Sequence, residues 1–324
     1  MKYVTLGRAA VRVSRLCLGT MSFGSRTNKT DSFTILNAAI EQGINFIDTA
    51  NSYGRRGAIS SEEILGEWLV NSPGLRDSLV IATKVCAPLG NGPNEGGLSA
   101  KHVRYACEES LRRLKTDYID LYQMHHIDRS TCWEEIWQIM GQLQREGKIL
   151  YVGSSNFAGW HIAQASEAAR RWNLLGLVSE QSVYNLANRA IELEVIPACI
   201  SYGMALLTYS PLGGGVLAGI LDKTLDTKMR SISVHSQRLL EQQRNAVERY
   251  ESLCQAMSLE PAVLGLAWLL SRNGVTVPVI GPRMMNHLDS ALRAFELSLD
   301  NEVLTQLDTI FPGPGGAAPE AYSW

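Results

Sequence analysis

The 324-residue chain is 45% hydrophobic and 19% charged, which is enough apolar content for a large core in either two ordinary domains or one large barrel. Its 30 Lys and Arg stand against 32 Asp and Glu, a formal net charge of -2, and no basic stripe is present, which argues against a nucleic-acid partner. The six dispersed cysteines form no CxxC pair, so the expectation is reduced thiols, neither a disulfide framework nor a metal site.

In chain order, the opening segment reads as a small hairpin, Tyr3 to Leu6 and Val11 to Val13, turning at Gly7. It lacks a signal-peptide apolar region, and no apolar run reaches membrane-spanning length, so the expectation is a soluble, cytoplasmic protein with no membrane partner. Eight short apolar runs then follow: "RLCLG", "INFID", "LVIATK", "IDLYQMH", "ILYVGSSN", "LVSEQ", "ALLTYS" and "TVPVI". Most are rich in β-formers and too short for helices. Helical patterns separate them at Ser32 to Gln42, Ser60 to Val70, Ala100 to Leu114, Cys132 to Glu146, Ala158 to Trp172 and Ala190 to Tyr202, with a long pair from Ser236 to Ser271. A last pair, Met284 to Phe295 and Asn301 to Ile310, follows the eighth run, and the tail "FPGPGGAAPEAYSW" is too rich in Pro and Gly for a helix.

Buried strands alternating with helices imply a parallel sheet covered by helices, and eight such units imply a closed (β/α)8 TIM barrel with an N-terminal β-hairpin and extra C-terminal helices. The rival is a doubly wound open sheet, whose dinucleotide-binding form needs G-x-G-x-x-G after the first strand; "LGTMSFGSR" does not supply it. No linker divides residues 1–324, so one domain is expected.

Polar residues end strand after strand: Asp48, Lys84, His125, Ser155 and Asn156, Gln181, Tyr209 and Ser210. A barrel gathers those ends on the face where barrel enzymes hold their active sites. Singly, each has an ordinary explanation as a helix cap, a packed loop tyrosine, a snorkelling lysine or a structural histidine. Together, Asp48, Tyr53, Lys84 and His125 have the chemistry of a proton-transfer site for a carbonyl. A tyrosine hydroxyl with an ordinary pKa of about 10 is a weak acid, and a nearby ammonium favours the phenolate left behind. The ammonium needs an anion to hold it, and a histidine can aim the carbonyl oxygen.

These residues lie in segments that resemble the aldo-keto reductase superfamily over nearly the whole chain: "LGTMSFG", "FIDTANSYG", "LVIATKV", "LRRLKTDYIDLYQMHHID", "GKILYVGSSNFAGW", "SEQSVYNL", "TYSPLGGGVLAG" and "VIGPRMMNHLDSAL". The resemblance implies a catalytic tetrad of Asp48, Tyr53, Lys84 and His125, with Tyr53 the general acid in reduction and His125, rather than His126, in the family register. It also implies NADPH (NADP+) bound across the barrel mouth without a Rossmann domain. Ser155, Asn156 and Gln181 match the residues that hold the nicotinamide carboxamide, and Tyr209 matches the ring stacked on the nicotinamide. Ser210, Leu212 and Gly214 match the pyrophosphate loop, Arg283 the 2′-phosphate contact, and Gly281 and His287 further cofactor-binding positions. Ser290 and Ala291 depart from the Glu and Asn that many members carry near the adenine.

The expected substrate is a small-molecule aldehyde or ketone. One alternative is a TDP-linked 4-keto-6-deoxysugar of antibiotic sugar biosynthesis, with Arg26, Arg55 and Arg56 as candidates for its diphosphate. Another is a redox-sensing or regulatory nucleotide-binding subunit. Tyr322 or Trp324 in the tail is a candidate cap for the substrate pocket, and oligomeric state is left open.

Overall fold

The computed structural model describes residues 1–54, 59–221 and 233–322. Two short strands, β1 (Tyr3–Thr5) and β2 (Arg12–Ser14), pair antiparallel as the expected hairpin. Eight parallel strands follow: β3 (Cys17–Gly19), β4 (Phe46–Asp48), β5 (Val80–Val85), β6 (Ile119–Met124), β7 (Ile149–Ser155), β8 (Leu177–Val183), β9 (Ala205–Tyr209) and β10 (Val277–Ile280). They form a closed barrel in chain order, with β10 pairing back onto β3. All eight coincide with the apolar runs read from the sequence, and closure leaves no free sheet edge.

The helices are α1 (Lys29–Glu41), α2 (Ser61–Val70), α3 (Ala100–Leu114), α4 (Trp133–Arg145), α5 (Gly159–Arg171), α6 (Val195–Ser201), α7 (Val234–Ala256), α8 (Pro261–Ser271), α9 (Met285–Glu296) and α10 (Asn301–Ile310). Among the described residues, no single helix is long and apolar enough to cross a membrane.

One expected helix is shorter than its pattern. The segment from Ala190 to Tyr202 splits into a 3₁₀ turn at Ala190–Glu192 and α6. Pro197 has no N–H and its ring would collide with the Leu193 carbonyl in a continuous helix, so it is accommodated only in the first turn of α6. The Leu193 carbonyl instead accepts the Ala318 N–H of the C-terminal tail at 2.9 Å. That tail is non-helical over its described residues, as its composition predicts.

The core has two layers. Outward-facing strand residues pack under the helices with Trp68, Trp137 and Trp268, while Cys17, Phe46, Val80, Ala82, Leu121, Ala205 and Leu207 fill the barrel interior. Leu6, Ala9 and Val13 of the hairpin belong to this inner cluster and close the N-terminal end. The close approach requires glycine at position 7, where φ is +59° and a Cβ would lie 2.4 Å from the Val178 carbonyl oxygen. With one end plugged, only the opposite end is open to build a site.

Beside that end, β5 is held from outside by a buried ion pair. Glu62 of α2 accepts from Arg113 of α3 at 2.7 Å and from the Thr83 hydroxyl at 2.6 Å. Thr83 faces the helices, so by strand alternation Lys84 faces the barrel interior.

Candidate active site

Asp48 is the last residue of β4, Lys84 lies near the end of β5, and their Oδ2 and Nζ atoms are 2.5 Å apart. Both side chains are buried, Lys84 completely. An ammonium has three protons to donate, and all three are used here. Besides Asp48, Lys84 donates to the Thr49 carbonyl at 2.9 Å and to the Tyr53 hydroxyl at 3.2 Å. Tyr53 stands in the turn after β4, held by its N–H to the Ala50 carbonyl and by the Ser61 N–H to its own carbonyl.

His125 follows β6, its ring edge-on to Tyr53 with centroids 6.0 Å apart and stacked on His126 on its other side. The structure therefore brings Asp48, Tyr53, Lys84 and His125 together, with the exposed His126 outside the contact to Tyr53.

Burial pushes the Tyr53 hydroxyl above its ordinary value; Lys84 pulls it down, Asp48 pushes it up again, and the net shift is upward. Tyr53 thus rests as a neutral phenol with its proton available. Lys84 is pulled down by burial, but the charges of Asp48 and Tyr53 and its hydrogen bonds to both outweigh this and hold it above its ordinary value. His125 is pulled down to about 3, mainly by burial and then by Lys84 and His126, so its imidazole is neutral at physiological pH. Its Nδ1 is buried without a hydrogen-bond partner.

Two further residues belong to this centre. Asp48 Oδ1 accepts from Gln123 Nε2 at 2.9 Å and from Gln181 Nε2 at 2.8 Å, so both carboxylate oxygens are satisfied. The sequence reading missed Gln123, although it precedes His125 by two and strand alternation puts both on the same face. Gln181, expected at a carboxamide, has its amide nitrogen engaged by Asp48; its Oε1 is the atom left for such a ligand.

The neighbouring strand ends carry the other expected residues. Ser155 Oγ donates to the Gln181 carbonyl at 2.8 Å. Asn156, in the left-handed region at φ +60°, donates to the His125 carbonyl at 3.1 Å and accepts from the Tyr209 hydroxyl at 2.8 Å. After β9, Ser210 also has positive φ, and its carbonyl accepts from Gly213 N–H and Asn185 Nδ2. Leu212 leads into a 3₁₀ turn, Gly213–Gly215, in which all three glycines have positive φ. At Gly214, where φ is +66°, a Cβ would lie 2.3 Å from Ser236 Oγ, so a side chain there would be strained and would displace the serine hydroxyl. Such a turn presents backbone N–H groups suited to phosphate oxygens.

Past β10, Gly281 has open space around its Cα, and the Arg283 N–H donates to Nδ1 of the exposed His287 at 3.2 Å. Arg283 is pulled down by partial burial and by the positive charge of Arg26, whose neighbour Thr27 donates to the Arg283 carbonyl at 3.3 Å. Neither guanidinium pairs with a carboxylate among the described residues. Arg26, a candidate for a sugar-linked diphosphate, accordingly stands with the expected cofactor residues. Arg55, Arg56 and Trp324 lie outside the described residues. Tyr322 donates to Glu194 at 3.3 Å, just before α6, and makes no contact with the tetrad. Ser290 bonds Glu260 and the Asn286 carbonyl, and Ala291 is buried packing, so neither takes the place of the Glu and Asn it departs from.

A parallel barrel with an Asp–Lys–Tyr–His cluster at its open mouth and a glycine turn beside it has the groups that reduction of a carbonyl would use. Comparison with known proteins agrees. The pattern of the Aldo/keto reductase family matches residues 15–311, and the chain belongs to that family. It is 44% identical over the full length of both chains to an uncharacterized oxidoreductase of Bacillus subtilis, YrpG. It is 33% identical to norsolorinic acid reductase stcV of Emericella nidulans, covering 94% of this chain and 80% of that one. A probable voltage-gated potassium channel subunit beta of Oryza sativa subsp. japonica is 32% identical, with 96% of each chain covered. The protein is a carbonyl-reducing oxidoreductase of a family that uses nicotinamide cofactors.

Proposed function

We propose that the protein is a cytoplasmic, NADPH-dependent reductase of small aldehydes or ketones in which Tyr53 is the general acid. The observation that carries the reading is the single ammonium of Lys84, bonded at once to Asp48 and to the Tyr53 hydroxyl. A phenol held neutral in the resting site can donate its proton to a developing alkoxide, and the ammonium stabilises the phenolate that remains. Asp48, fixed by Gln123 and Gln181, keeps the ammonium charged and in place. Neutral His125 positions the carbonyl oxygen by hydrogen bonding without competing as a second acid.

The residues present fit the dinucleotide. Ser155, Asn156 and Gln181 would hold the carboxamide, Tyr209 would face the nicotinamide ring, and the turn around Gly214 would accept the pyrophosphate, with Ser210 and Leu212 leading into it. Arg283, assisted by Arg26, would take the 2′-phosphate, because an uncompensated pair of guanidinium groups favours a dianion. When bound, the reduced nicotinamide supplies the hydride. Six free cysteines fit a reducing compartment.

The test is a panel of aldehydes and ketones with purified protein and NADPH, following the loss of the reduced nicotinamide's absorbance, alongside Tyr53→Phe. The variant should keep dinucleotide binding and lose about 10²–10⁴-fold in turnover. Retained turnover removes Tyr53 from the acid role, and tight binding with no turnover of any carbonyl moves the protein to a sensing role.

A further inference from the structure

We propose that Glu180 is a positioning residue that holds the turn carrying Ser155 and Asn156 in the geometry that grips the nicotinamide end of the cofactor. The inference rests on the dinucleotide reading above. Glu180 precedes Gln181 on β8, so when Gln181 points into the barrel Glu180 points out of it, toward the helices. It is completely buried.

Its two oxygens gather donors from both sides of the β7–β8 seam. Oε1 accepts from the Phe157 N–H at 3.0 Å and from Ser182 Oγ at 2.7 Å, and Oε2 accepts from Ser154 Oγ. On the barrel side, the Gln181 carbonyl accepts from Ser155 Oγ and the Asn156 N–H. Residues 154–157 are thus clasped from both faces of β8. The clasped turn carries Asn156 at φ +60°, in the left-handed region that asparagine adopts more readily than most side-chain-bearing residues. Asn156 in turn ties the His125 carbonyl to the Tyr209 hydroxyl. A shift of this turn moves groups that face both the reacting carbonyl and the nicotinamide.

The groups around Glu180 form a donor set, which suits a carboxylate. No described Lys or Arg forms an ion pair with Glu180, and burial without a cation raises its pKa to about 7, against the opposing pull of its hydrogen bonds. The titratable groups around it are Cys199 of α6 and Tyr209 of β9, both pushed up by burial and by the charge of Glu180. His161 of α5 stands behind Phe157 and is pulled below its ordinary value by burial and by Arg129. Below about pH 7 the carboxyl carries a proton, so one of the Ser154 and Ser182 hydroxyls that now donate to it must turn to accept, and the clasp rearranges. Above it, all of the donors are satisfied. Cofactor affinity should therefore rise as pH rises through this range.

The experiment is a fluorescence titration of wild type and Glu180→Gln with NADPH, one unit either side of pH 7, with thermal unfolding of both. The ligand's own phosphate titration and that of His287 are common to the two proteins. If binding lowers the Glu180 pKa by about one unit, wild-type affinity rises about fivefold across the range. The Gln variant should stay at the wild-type low-pH level throughout. Because a buried acid with a raised pKa destabilises the fold above that pKa, the variant should melt no lower than wild type on the alkaline side, which separates lost positioning from lost folding. Parallel profiles for the two proteins overturn the role of Glu180 alone. A wild type that binds no dinucleotide overturns the cofactor reading and this proposal together.

Discussion

Removing the Lys84 ammonium isolates the energetics of the candidate site. In Lys84→Met the Asp48 carboxylate, 2% exposed, loses its cation, while the Thr49 carbonyl and the Tyr53 hydroxyl lose a donor. Breaking one side of a buried pair typically costs about 3–5 kcal/mol, much of it for the charge left behind. Asp48 keeps two amide N–H bonds on Oδ1, so the lower end, about 3 kcal/mol, is the expected loss. Asp48→Asn alone strands the ammonium and should cost a similar amount. The double variant removes both charges and should lose about 3 kcal/mol, leaving an interaction energy of about 3 kcal/mol. Urea unfolding followed by tryptophan fluorescence measures all four proteins, with comparable m-values as the condition for comparing midpoints. Single losses below about 1 kcal/mol, or losses that simply add, would refute the claim that the two charges compensate each other. Turnover supplies the second half of the cycle: the double variant should be no less stable than either single variant and still lack activity, since Tyr53 still lacks its ammonium.

Arg283→Gln should raise KM for NADPH about tenfold to a hundredfold, the size of a lost charge-assisted bond, and leave KM for NADH unchanged; equal effects on both would remove Arg283 from 2′-phosphate recognition. Gly214→Ala should weaken dinucleotide binding about tenfold, because φ is +66° and the new methyl would collide with Ser236, and unchanged affinity would take this turn out of the binding site. His125, pulled down to about 3, should show no ring protonation by NMR between about pH 5 and 8, whereas a midpoint near its ordinary value would contradict the buried, neutral imidazole. The unfolded chain does take up that proton, so His125 withdraws stability as pH falls below its ordinary pKa toward 3.

Much of the architecture was legible one segment at a time. Eight β-rich apolar runs separated by helical patterns specify strands and helices locally, and their count implies closure. The strand-end positions of Asp48, Lys84 and His125 follow from the same pattern. Gln123 was also within reach, since it shares the alternation of His125, but a glutamine in an apolar strand has no chemistry to single it out until Asp48 stands beside it. The break before α6 was signalled by Pro197 and obscured by the helical pattern around it.

Other features needed the closed barrel. Glu180 and Gln181 are neighbours in sequence with opposite fates, one clasping the Ser154–Phe157 turn under the helices and the other bonding Asp48 inside. Lys84 meets Asp48 across 36 positions of sequence because β4 and β5 pair in one register, and a one-residue slip would turn Lys84 outward. The resting state of Tyr53 is likewise tertiary: residue types supply the pull of the ammonium, but burial supplies the larger opposing push. By itself the sequence determined which groups are available and on which strand each is carried. Register, burial and barrel closure decided which of them meet, because local pattern is set within a few residues whereas desolvation and long-range contact exist only once the chain has packed.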